Sequence, residues 1–202
     1  MAALKAALLA LAVAGAPAAE GHLLEGARLF RAEVYGAALV EFRVAGALGA
    51  QEALWYSAAA LLKLGRSEEA VEAFAEAAAV APGARDSLLD YYRAQACHAL
   101  RLYLCADGLL ASVVEQGGPR IAGHARAMRA AIASELAPQR LPAAIDWYLA
   151  RGKELSARRP LLAAAYLEEA AGLGQRLASA YRRQEALDAL AKLRSAPPPG
   201  KR

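Results

Sequence analysis

The chain has 202 residues, a formal net charge of +4 and a hydrophobic fraction of 57%, a length that allows one domain or one extended array. Alanine supplies more than a quarter of it, Thr and Asn are absent and Ile occurs three times; this shortage of β-branched residues beside abundant Ala, Leu, Glu and Arg favours an all-α protein. The charge excess is too mild to imply a nucleic-acid partner, and alanine inflates the hydrophobic fraction, so that fraction does not imply a membrane bundle.

The N-terminus reads as a targeting segment. Lys5 is the only charge in the first 19 residues, an apolar run follows from Ala6 to Ala14, and Ala16 and Ala18 offer small residues where a signal peptidase reads. Residues 1–18 are therefore expected to be a cleaved signal peptide, with cleavage after Ala18 or Ala19. The run is short for a transmembrane helix, and after Leu23 no segment approaches about 18 uninterrupted apolar residues. A periplasmic or secreted protein without a membrane span in the mature chain follows. Losing Lys5 leaves a charge of +3 (4 − 1).

From there the chain reads as helical hairpins. The first is expected over about 21–33 and 35–48. The second has an apolar helix over 53–64, stopped by Gly65, then a helix to Val80 that Ser67 can cap and Pro82 ends. Ala38, Phe42 and Ala45 in the first hairpin stand in the same spacing as Ala70, Phe74 and Ala77 in the second, 32 residues on. That spacing lies on one helix face, where small residues admit a neighbour and the aromatic fills the gap. A lone hairpin cannot bury its apolar faces, so further stacked hairpins are expected.

These two stretches resemble tetratricopeptide (TPR) repeats. The matching residues are Leu54, Ala58, Leu61, Gly65, Ala70, Phe74, Ala77 and Pro82 in the second unit, and Gly26, Leu29, Ala38, Phe42 and Ala45 in the first, which lacks the closing Pro. The resemblance implies a right-handed superhelix (an α-solenoid) over residues 19–194, acting as a non-enzymatic scaffold that binds a peptide or helical segment of a partner in a concave groove. Carried over position by position, the groove residues are Leu23, Ala27, Phe30 and Arg31 in the first unit and Glu52, Trp55, Ala59, Leu62 and Lys63 in the second. Tyr91, Gln95 and His98 follow in the third. Phe30, Arg31, Trp55, Lys63, Tyr91 and His98 are the candidate partner-binding residues, with the aromatic ones open to a second reading as packing between helices. The family's carboxylate clamp also uses Asn, which this chain lacks. An alternative function is an accessory subunit of a cell-wall or polysaccharide-processing complex that binds glycan or enzyme.

The later units depart from this register. Asp86 or Ser87 can cap a long helix, SLLDYYRAQACHALRLYL, with Ala94 placed 36 residues after Ala58. Cys105-Ala106-Asp107 is expected as a turn, then a helix over 107–116 with Leu110 and Val113 inward. Further helices are expected over 119–136, with Ile121, Ala125, Met128 and Ile132 as its stripe, from Pro142 to about Ser156, and from Pro160 to Gly172 and Gly174. A polar capping helix over 175–193 and a disordered Pro-rich tail over 195–202 complete the reading. On one helix Cys97 and Cys105 would lie about 12 Å apart, too far for a disulfide, so two buried thiols are expected unless a turn brings them together.

No residue pattern carries chemistry. His22, His98 and His124 form no helical metal pair, Glu68-Glu69 and Glu168-Glu169 diverge by about 100° on a helix, and no phosphate loop or nucleophile elbow occurs. The expectation is no catalytic residue, no metal and no cofactor.

Overall fold

The computed structural model describes residues 2–84 and 86–195, with side chains from residue 17 onward except those of 180 and 181. Among the described residues there are ten α-helices and no strand. The chain divides into two compact units, Met1–Ala96 and Cys97–Arg202.

The first unit holds α1 (Ala2–Arg31), α2 (Tyr35–Ala47), α3 (Ala53–Lys63), α4 (Ser67–Val80), a 3-10 turn at Pro82–Ala84 and most of α5 (Ser87–Ala99). Neighbouring helices pack in a row, α1 on α2, α2 on α3 and α3 on α4. The repeated small–large–small pattern is the reason. Ala38, Phe42 and Ala45, and likewise Ala70, Phe74 and Ala77, are buried to within 1% of full burial. Gly26 lets the Phe42 ring reach α1: a Cβ there would lie 2.6 Å from two ring carbons. Each buried Phe removes enough apolar area to contribute about 2–3 kcal/mol. Trp55 packs on Phe74 at 6.0 Å between ring centroids, and its indole N–H donates to the Ala81 carbonyl at 2.8 Å, closing the end of α4 just before Pro82.

Several local expectations need correction. α1 begins well upstream of residue 21 and contains Pro17. Ser67 is the first residue of α4, whose N-cap is Arg66, and no side chain caps it; the first turn is held by Arg66 and Glu69, paired through two hydrogen bonds of 2.6 and 2.7 Å. Asp86 does cap α5, its carboxylate accepting the Leu89 N–H at 2.7 Å. No helix among the described residues is long and apolar enough to cross a membrane. The side chains of most of the expected signal segment, through residue 16, and the tail residues 196–202 lie outside what is described.

The second unit holds the end of α5, then α6 (Tyr103–Gln116), α7 (Pro119–Ala133), a 3-10 turn at Pro138–Arg140, α8 (Leu141–Leu155), α9 (Pro160–Arg176) and α10 (Ala180–Ser195). α9 is its hub and packs on α6, α8 and α10. A glycine serves each of those contacts. A Cβ at Gly152 would lie 2.6 Å from Leu167, one at Gly172 2.8 Å from Leu104, and one at Gly174 3.0 Å from the Arg183 backbone. Gly172 and Gly174 therefore lie inside α9 and do not end it; they are there because a neighbouring helix leaves no room for a side chain.

The expected turn at 105–107 is displaced. The chain reverses at Leu100–Leu102, where Arg101 adopts φ 63°, and Cys105 and Asp107 sit inside α6. Asp107 caps nothing and instead accepts from Arg129 of α7 at 2.8 Å. With the turn between them, Cys97 and Cys105 come to a Cα separation of 6.1 Å and form a disulfide, so the expectation of two thiols is overturned.

One turn recurs five times among the described residues. Glu33, Gly49, Gly65, Arg101 and Ala178 all have positive φ, between 53° and 105°. The next residue donates its N–H to the carbonyl five residues back in every case: Val34 to Leu29, Ala50 to Ala45, Arg66 to Leu61, Leu102 to Cys97 and Ser179 to Gly174, at 2.9–3.0 Å. This is the Schellman arrangement, which satisfies the last carbonyls of one helix while starting the next. Counting from the turn also aligns the third hairpin. Ala106, Leu110 and Val113 occupy the places of Ala70, Phe74 and Ala77, and all three are buried, with Leu110 filling the aromatic's position.

Candidate functional site

In the first unit, the ends of α1 and α3 meet the beginning of α5 at a cluster of rings. Phe30, the penultimate residue of α1, is half-buried. It stands edge-on to Tyr35 (centroids 5.2 Å apart) and to Tyr92 (5.9 Å), and tilted against Phe42 (6.4 Å). Lys63, the last residue of α3, holds its ammonium 5.0 Å from the Tyr92 ring centroid. A cation suits that position, since the helix dipole is negative at its C-terminal end and the ring face adds attraction of about 0.5–2 kcal/mol. Burial pushes the Tyr92 hydroxyl above its ordinary range, so it stays neutral. The result is a surface of aromatic edges with one exposed positive charge.

Not every expected groove residue reaches this surface. Phe30 and Lys63 do, joined through Tyr92. Tyr91 lies one helical step, about 100°, away from Tyr92. Arg31 is exposed and turns back on its own helix, donating to the Ala27 carbonyl at 3.2 Å. Trp55 has 0% exposure and belongs to the core, because its indole N–H is needed at the end of α4. His98 belongs to the second unit, where it packs edge-on to Tyr103 at 5.8 Å. Tyr35 and Tyr92 were missed. The signal for Tyr92 was its place 36 residues after Tyr56, the same step that separates Ala58 from Ala94.

The second unit carries two further features. Around the Arg101 turn, the Tyr148 hydroxyl donates to the Arg101 carbonyl. The Glu169 carboxylate accepts from the N–H groups of Leu104 and Cys105, the latter at 3.1 Å. Leu102, the N-cap of α6, offers no side-chain oxygen, so a residue of α9 supplies the cap. Burial is the main influence on Glu169 and raises its carboxyl to about 7, against the lowering effect of the two N–H groups and Arg176. Glu168, its neighbour, faces solvent and Arg194. Away from the cap, Trp147 is 44% exposed and stands edge-on to Tyr148 (5.1 Å) and Tyr166 (5.6 Å).

Among the described residues, no group of three or more His, Cys, Asp or Glu side chains converges where a metal ion could sit. No family model and no curated protein matches this chain.

Proposed function

We propose that this chain is an exported, non-enzymatic scaffold built of TPR-like hairpins, which binds a peptide or helical segment of another protein on the surface formed by Phe30, Tyr35, Tyr92 and Lys63. The observation that carries this reading is the recurrence of one turn, at Glu33, Gly65 and Arg101, with a buried small–large–small triplet at the same distance after each. Repetition of a unit that needs its neighbours for burial is the logic of a helical repeat array. Half-buried rings beside a cation supply the groups that dominate protein–protein hot spots. Lys63 would meet a carboxylate of the partner, and Phe30 and Tyr92 an apolar side chain.

Site-specific photo-crosslinking in the native host tests it. A crosslinker at position 63 should give a discrete adduct that Tyr92→Ala weakens, whereas one at Val40, exposed on α2, should give none. Equal adducts at both positions would defeat the assignment. Export is tested separately by N-terminal sequencing of the protein from its source: a start at Ala19 or Glu20 supports it, and an intact Met1 contradicts it.

A further inference from the structure

The second unit carries a feature that the proposed scaffold surface does not use. Two depressions adjoin at Trp147 and Arg101, which line both. One, of about 380 Å³, extends along the later turns of α8 to Arg151, Glu154 and Tyr166. The other, of about 400 Å³, extends along its first turns to Arg140, Glu135 and Tyr148. Each is within the size of a small-ligand pocket.

The charges in this double site do not balance. Glu135 is paired with Arg140 at 2.8 Å, and Glu154 with Arg151 at 2.8 Å. Arg101 has no carboxylate partner among the described residues. Its backbone is equally telling. Arg101 occupies the left-handed position that Gly65 fills in the equivalent turn, a conformation that costs a non-glycine residue about 1 kcal/mol or more. The turn is nevertheless pinned by the Tyr148 hydroxyl and the Cys97–Cys105 disulfide. The backbone that carries this guanidinium is thus held in place, and the side chain lines both depressions together with the exposed Trp147 indole.

We infer that this double depression is a binding site for an extended acidic segment of a partner protein, with two apolar side chains straddling Trp147 and a neighbouring carboxylate on Arg101. Alternate side chains of an extended chain lie about 7 Å apart on the same side, far enough to pass on either side of one ring. The guanidinium offers a planar pair of donors to a carboxylate. The site lies within the 97–202 unit, so it stands or falls independently of the Lys63 surface.

The test uses the full-length protein and a short fluorescent peptide of alternating leucine and aspartate, with fluorescence anisotropy as the readout. Saturable binding is expected, weakening as salt is raised, and absent for the same peptide with lysine in place of aspartate. Arg101→Gly is the decisive variant, because glycine suits the left-handed turn and the fold should persist; it should weaken binding about tenfold or more. Trp147→Ala should weaken it similarly, and both losses should persist in a Lys63→Glu background, which removes any binding of the same peptide at the surface of the first unit. No saturable binding, or equal affinity in the Arg101→Gly protein, would overturn the inference, as would preferential binding of a soluble acidic polysaccharide over the peptide.

Discussion

The Glu169 carboxylate of α9 accepts the backbone N–H of Cys105 at 3.1 Å, and so caps a helix 64 residues earlier in the chain. The first turn of α6 has orphan donors that neither Leu102 nor Tyr103 can satisfy, and a buried side chain from the neighbouring helix meets them. Removing it should be costly. Glu169→Ala leaves two buried N–H groups unpaired and a void beside α6, and is expected to destabilise the protein by about 2–4 kcal/mol in urea unfolding. Glu169→Gln keeps one acceptor and should cost less than half of that.

The same residue makes stability depend on pH. Its carboxyl is raised from an ordinary value of 4.5 to about 7 by burial. Between those values the folded state binds more protons than the unfolded state, so the contribution is fully present below pH 4.5 and is lost as pH rises through 7. Subtracting the unfolding free energy of Glu169→Gln from that of the native sequence should leave a term that falls by roughly 2–3 kcal/mol between about pH 5 and pH 8. A difference that is flat with pH would mean that Glu169 is not a titrating cap.

The disulfide closes a short loop, with a sequence separation of 8 between Cys97 and Cys105. The chain-entropy argument for a loop of this size gives about 2–3 kcal/mol of stabilisation. Unfolding free energies measured with and without reductant should differ by that amount for the native protein, and should coincide for Cys97→Ser/Cys105→Ser. Mass spectrometry of the alkylated, unreduced protein should find no free thiol.

Two glycines should respond in opposite directions to the same substitution. Gly152→Ala would place a Cβ 2.6 Å from Leu167 and 3.3 Å from the Ala163 carbonyl, and should cost about 1–3 kcal/mol as α8 and α9 are forced apart. Gly123 lies inside α7 with nothing within 4 Å of its absent Cβ. Gly123→Ala should therefore stabilise the protein by about 0.5–1 kcal/mol. Thermal or urea melts decide both.

Trp55 separates core from surface. Trp55→Ala should cost about 3–5 kcal/mol, because it removes a fully buried ring and the donor to Ala81. Trp55→Phe, which keeps most of the volume, should fold with a smaller loss and leave the photo-crosslink at position 63 intact. Loss of that adduct in the stable Trp55→Phe protein would return Trp55 to the binding surface.

Much of the helix plan was legible because it rests on local signals. Pro82, Gly65, Pro119, Pro142 and Pro160 mark boundaries through backbone geometry alone, and the Ala–Phe–Ala triplets declare their buried face by spacing. The candidate surface was legible only in part. The resemblance named Phe30 and Lys63, which meet through Tyr92, but it left Trp55 between groove and core, because nothing in its neighbours along the chain announces that its N–H is needed at Ala81. Tyr92 was passed over for Tyr91 because adjacent tyrosines look alike until a ring from another helix selects one.

The sequence by itself determined an all-helical chain, the hairpins around Gly65 and the residues that would fill their cores, since propensity, turn chemistry and helical periodicity act over a few residues. Tertiary structure alone decided where α5 ends. A left-handed Arg101, unlike Gly65, carries no signal in its residue type, and the turn there is held by Tyr148, 47 residues away, and its far side by Glu169. That placement in turn decided the disulfide and the buried carboxyl. The physical reason is that the contacts which hold this turn, from Tyr148 and Glu169, lie far along the chain and exist only once the helices have packed.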